Sequence, residues 1–134
     1  MTLIELNRYF ELVSNLARTK ELLDNLRAAA YYPASPALTG MPHAPGVKDK
    51  VGDLAVEIAD LETRKEYIEK EIRRKKSKVE EFVATIDDYY LRTLFRLRFE
   101  RGLSWKEVAT IVGGRNSEEG VKSACYRYLR KVAP

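Results

Sequence analysis

One feature constrains this chain more than any other: an apolar stripe in steps of three and four that runs unbroken through its middle. Val51, Leu54, Ile58, Leu61, Lys65, Ile68, Ile72, Lys75, Val79, Phe82 and Ile86 all keep that spacing. Only a helix gathers residues so spaced onto one face. The stripe predicts a helix from about Val47 to Ala84, roughly 57 Å long at a rise of 1.5 Å per residue. Such a helix cannot bury its stripe alone. It must fold back against another helix, pair with a second copy of the chain, or do both. Lys65 and Lys75 stand at stripe positions. A lysine there either extends its stem outward to water or sets register and oligomeric state, as polar residues in such seams can.

A partner helix is available upstream. Residues from Thr2 to about Ala30 contain no Pro or Gly, and Tyr9, Leu12, Leu16, Thr19, Leu23, Leu26 and Ala30 repeat the same spacing. Between the two helices, Pro33, Pro36, Pro42 and Pro45 lead to Gly46. No helix survives that density of proline, so residues of about 31–46 are expected to form a loop, at about 15 residues a long one for a helix–helix link. The first 86 residues therefore read as a long antiparallel helical hairpin, a coiled-coil-like arm through which a homodimer could also form. Its basic run from Lys70 to Lys78 has acidic neighbours. It reads first as a solvated helix face and only second as a surface for DNA or an acidic protein.

After Ala84 the pattern changes. The step Thr85-Ile86-Asp87-Asp88 breaks the arm from a second module, residues 87–134, with Thr85 or Asp87 expected to cap a new helix. Gly102 can end that helix at positive φ. Ser104 caps the next, and Glu107 three residues later completes an S-x-x-E capping box. Trp105, Val108, Ala109, Ile111 and Val112 are expected to bury this short helix. Gly113-Gly114 stops it, and Ser117 caps a last helix ending near Val132. The expected fold class is thus all-α, a helical hairpin followed by a helix-turn-helix.

Charge follows the same division. The chain carries 24 Lys and Arg against 20 Asp and Glu. Residues 1–88 hold 14 and 16 of these, a net of −2, and residues 89–134 hold 10 and 4, a net of +6. A basic module beside a near-neutral arm is the electrostatic footprint of a protein that binds the phosphate backbone.

Other classes find little support. No apolar run approaches the roughly 20 residues that span a bilayer, and the first residues lack a signal-peptide pattern. The single cysteine, Cys125, cannot form an internal disulfide, which suits a reducing cytoplasm. It falls one turn after Val121 and is expected to pack inward as a small hydrophobe. The only histidine, His43, sits in the Pro-rich loop with no second ligand at metal spacing. Asp87 and Asp88 are better explained by a helix cap than by a catalytic carboxylate pair. Gly113-Gly114 lacks the Lys-Ser/Thr of a phosphate loop. Neither an enzyme nor a bound cofactor or metal is expected.

The segment from about Ile86 to Lys131 resembles region 4 of sigma-70 factors. The residues that carry the likeness are Leu94-Phe95-Arg96-Leu97-Arg98-Phe99, Gly102-Leu103-Ser104-Trp105-Lys106-Glu107-Val108-Ala109, Asn116-Ser117 with Val121, and the tail Tyr126-Arg127-Tyr128-Leu129-Arg130-Lys131. The layout of the whole chain is similar to the sigma-70 region 4-like regulators of phages and mobile elements in Gram-positive bacteria, of the ArpU/RinA late-activator type. The resemblance implies a transcriptional regulator on double-stranded DNA whose last helix, about 118–131, enters the major groove. Matching Ser117 to the cap and Val121 to the buried position leaves Glu118, Glu119, Lys122, Ser123 and Tyr126 as candidates for base contact. Lys106, Arg115, Arg127, Arg130 and Lys131 become candidates for phosphate contact. The turn from Gly113 to Ser117 is about two residues longer than the sigma pattern, and the two glutamates suit the positive end of a helix. Region 4 modules also contact RNA polymerase, so a polymerase-binding adaptor is the alternative. A small-terminase-like DNA-packaging component is a third.

Overall fold

A computed structural model of the protein describes residues 1–31 and 46–132, the side chains of 46–51 excluded. Every regular element among them is helical: α1 (Leu3–Tyr31), α2 (Gly46–Ala84), α3 (Tyr89–Phe95), α4 (Trp105–Val112) and α5 (Glu118–Val132). No strand occurs among the described residues. Thr2 starts α1, its hydroxyl accepting the Glu5 N–H at 3.2 Å. In α2 the stripe from Leu54 to Phe82 is buried or half-buried at every position, Lys65 and Lys75 included. The period of the sequence is therefore the period of burial. The Pro-rich loop and His43 lie outside the described residues.

The junction after α2 differs from the sequence reading in its cap. Asp88, rather than Thr85 or Asp87, opens α3, its carboxylate accepting the Leu91 N–H at 3.0 Å. Thr85 turns its hydroxyl back onto the Phe82 carbonyl at 2.6 Å and closes the last turn of α2 instead. With Thr85 so occupied, the aspartate three residues before Leu91 is the side chain in reach of the free N–H groups. The end of α3 widens into a π turn, Arg96–Glu100, closed by Arg101 N–H on the Arg96 carbonyl at 2.9 Å.

The chain divides into two compact units. One comprises residues 1–15 with the chain from 70 onward. Its core joins Leu6 and Tyr9 of α1 and Val79 and Val83 of α2 to Ile86, Leu94, Phe95, Phe99, Trp105, Val108, Val121, Cys125 and Leu129. Full burial of each large side chain contributes about 1.5–3 kcal/mol. Phe95 packs edge-on to Tyr128 (centroids 5.7 Å apart), and Phe99 meets Trp105 likewise at 6.1 Å. The other unit, residues 16–69, buries Thr19, Leu23 and Ile68. Within it Arg27 of α1 and Glu62 of α2 pair at 2.6 Å.

Candidate nucleic-acid interface

The turn into α4 is built at Gly102. Its φ of +72° is a left-handed conformation that L side chains rarely adopt, and a Cβ there would lie 2.8 Å from Val13 Cγ1 of α1. Glycine is required by backbone and by space. Ser104 then forms the expected capping box: its hydroxyl accepts the Glu107 N–H and the Glu107 carboxylate accepts the Ser104 N–H, both at 3.1 Å. These bonds hold the Glu107 carboxyl below the usual range. Trp105, Val108 and Ala109 are buried as expected and Val112 is half-buried, but Ile111 is 59% exposed. At about 100° per residue Ile111 falls roughly 120° from Trp105, outside the arc the buried residues share.

Two left-handed glycines, Gly113 (φ +66°) and Gly114 (φ +67°), release the chain from α4. Asn116 then organises the turn. Its amide donates to the Gly113 carbonyl at 2.7 Å, and its oxygen accepts the Tyr90 hydroxyl of α3 at 2.7 Å. Ser117 caps α5 by accepting the Gly120 N–H at 3.0 Å. Sequence reasoning missed the Tyr90–Asn116 contact, because no local pattern links residues on separate elements.

The last helix has two distinct faces. Val121, Cys125 and Leu129 are buried and Ala124 and Tyr128 half-buried, with Cys125 packed inward as expected. Of the base-contact candidates, Glu118, Glu119 and Ser123 are exposed, whereas Lys122 and Tyr126 are half-buried. These two are brought together: the Lys122 ammonium sits 5.7 Å from the centre of the Tyr126 ring. Tyr126 in turn lies edge-on to Trp105 at 6.0 Å, so its ring is braced by α4 rather than projecting freely. The phosphate-contact candidates Lys106 (α4), Arg115 (the turn), Arg127, Arg130 and Lys131 (α5) are all exposed. Among the described residues none of these five forms an ion pair. The basic run of α2 is mixed: among the described residues Lys70, Arg73 and Lys75 form no ion pair and the other three cations do. Arg74 pairs with Glu71 at 2.9 Å, Lys78 with Glu5 at 2.9 Å, and Lys76 approaches Glu80 at 3.8 Å.

Arg98 belongs to the segment that resembles region 4, but the sequence reading gave it no role of its own. Its half-buried guanidinium lies between the rings of Phe10 (3.5 Å) and Trp105 (4.5 Å) and donates from Nη1 to the Leu103 carbonyl at 3.2 Å. Its Nε is buried and has no hydrogen-bond partner among the described residues. Burial pulls its pKa down.

The remaining chemistry is sparse. Burial pushes the Cys125 thiol up to about 12, far from the low values that make a thiol a nucleophile. No group of three or more His, Cys, Asp or Glu among the described residues could hold a metal. No described helix is long and apolar enough to cross a membrane. No protein-family model, curated protein or solved structure matches this chain.

Proposed function

We propose that the chain is a sequence-specific DNA-binding regulator of transcription, in which α4 and α5 form a helix-turn-helix and α5 reads the major groove. One observation carries the reading. Among the described residues five exposed cations form no ion pair: Lys106 of α4, Arg115 of the turn, and Arg127, Arg130 and Lys131 of α5, a capped helix with an exposed polar face. Unpaired surface cations gain more from phosphates than cations already neutralised, because counterions leave the duplex without an ion pair having to break. In this account Arg127, Arg130 and Lys131 clamp the backbone, while Glu118, Glu119, Lys122, Ser123 and Tyr126 face base edges. Glutamate can accept from a cytosine amino group and lysine can donate to guanine.

The sigma-70 region 4-like affinity, with a phage or mobile-element origin, belongs to the same proposal, as does the hairpin form of the arm. Glu5 meets Lys78 in one unit and Arg27 meets Glu62 in the other, pairings that fit an antiparallel arm. A second reading, an adaptor that docks on RNA polymerase, draws on exposed Ile111 of α4 and on the two acids that open α5, which repel phosphates.

Variants in the full-length chain, titrated on several duplexes, test the assignment. Arg127→Ala is expected to weaken all sequences alike and lower the salt slope by about 1, whereas Lys122→Ala relaxes preference at particular bases at a cost of about 1–3 kcal/mol. Equal losses for both variants on every duplex contradict the assignment.

A further inference from the structure

We infer that the first helix sets the aim of the base-reading side chains through one continuous stack of rings and cations: Phe10, Arg98, Trp105, Tyr126 and Lys122. The inference rests on the reading of α5 as the helix that meets the bases. It begins on α1, where the Arg98 guanidinium carbon lies 3.5 Å from the centre of the Phe10 ring, and continues at 4.5 Å to Trp105. Trp105 meets Tyr126 at 6.0 Å with the planes 82° apart, and the Lys122 ammonium lies 5.7 Å from the Tyr126 ring. Each contact has a preferred geometry, because a ring presents a negative face and a positive edge. A displaced Phe10 therefore displaces its neighbour's best position, and so on to Lys122.

Arg98 is the unusual member. Among the described residues it forms no ion pair, it makes one hydrogen bond, and its Nε has no partner. Leucine or methionine would fill the same space without the cost of desolvating a charge. What the planar guanidinium adds is attraction to two ring faces at once, one on α1 and one on α4, strengthened by partial burial. Leu3 of α1 also lines an apolar groove of about 220 Å³ with Tyr126, Leu129 and Arg130. Tyr126 is positioned by Trp105. Phe10 and Arg98 are positioning residues, acting on sequence preference without touching DNA.

The test uses the full-length chain with two labelled duplexes of equal length, one enriched from a random library and one scrambled. Phe10→Leu keeps an apolar side chain and removes the ring face, and Arg98→Lys keeps the charge and removes the planar fork. Each is expected to raise the Kd for the enriched duplex about fivefold, the scale of one partly desolvated cation–π contact. The Kd for the scrambled duplex stays as in the parent, and Phe10→Tyr restores the preference. Equal weakening on both duplexes, accompanied by a lower Tm, means that Phe10 and Arg98 only hold the fold and overturns the inference. Unchanged affinities overturn it as well. Lys122→Ala separates the two levels of the argument. If it abolishes the preference while Phe10→Leu and Arg98→Lys preserve it, the positioning role alone falls. If no duplex is enriched, or Lys122→Ala also leaves the preference intact, the reading of α5 falls and the inference falls with it.

Discussion

At Gly102 the backbone and the packing demand the same residue. A left-handed φ costs an L side chain about 1–2 kcal/mol, and forcing a methyl group against Val13 adds about 1–3 kcal/mol of overpacking. Gly102→Ala is therefore expected to destabilise the protein by about 3 kcal/mol in urea unfolding. Val13→Ala in the same chain should recover the steric part only, leaving the conformational part. A loss below about 0.5 kcal/mol would contradict the packing of α1 on this turn. Glu107 makes a pH-dependent prediction. Its carboxyl is held low by the Ser104 hydrogen bonds, so its contribution is complete above the ordinary glutamate pKa of about 4.3 and is lost as pH falls through the depressed folded value. Glu107→Gln keeps an acceptor for the Ser104 N–H but cannot titrate. Its urea midpoint should fall less than the parent's between pH 6 and pH 3, and parallel falls would remove the assignment. Contacts of this kind were legible in the sequence because capping is local, with partners three residues apart. Tyr90–Asn116 and Phe10–Arg98 were not, since each joins separate elements and no periodicity reports which side chains will meet.

At the scale of elements, periodicity proved the strongest signal. The α2 stripe marks the buried side at each described position, and Val121 and Cys125, one turn apart in α5, are both buried. Short helices were harder to read. Over the eight residues of α4 an isoleucine one step off the arc looks like part of the core, and Ile111 is exposed. The start of α3 was ambiguous for a different reason, because Thr85, Asp87 and Asp88 are all residue types that cap helices and lie within four positions. Asp88→Ala should lose about 1 kcal/mol of stability as a missing cap, while Asp87→Ala should change it by less than about 0.5 kcal/mol. Urea midpoints of the two variants compare them directly, and the reverse order would place the cap at Asp87. The π turn at Arg96–Glu100 had no readable signature, since it reflects how the end of α3 meets its surroundings.

At the scale of the molecule, charge and packing divide the chain differently. Charge separates a near-neutral first two-thirds from a basic final third. Packing instead places Leu6, Tyr9, Val79 and Val83 in one cluster with Phe95, Phe99 and Trp105. The sequence showed the first division because charge can be counted along a chain. It could not show the second, because apolar residues on different helices carry no label for their partners. Among the described residues Arg74, Lys76 and Lys78 of α2 pair with carboxylates, while Lys106, Arg115, Arg127, Arg130 and Lys131 form no ion pair. The excess of ten cations over four carboxylates in residues 89–134, with these five exposed, is the main physical support for a nucleic-acid interface on this side of the module. The most direct test is selection from a random duplex library with the full-length protein at about 0.15 M salt. The account predicts a defined enriched motif, with two half-sites if the arm dimerises symmetrically. Enrichment of no sequence, with only weak salt-sensitive binding, would contradict it.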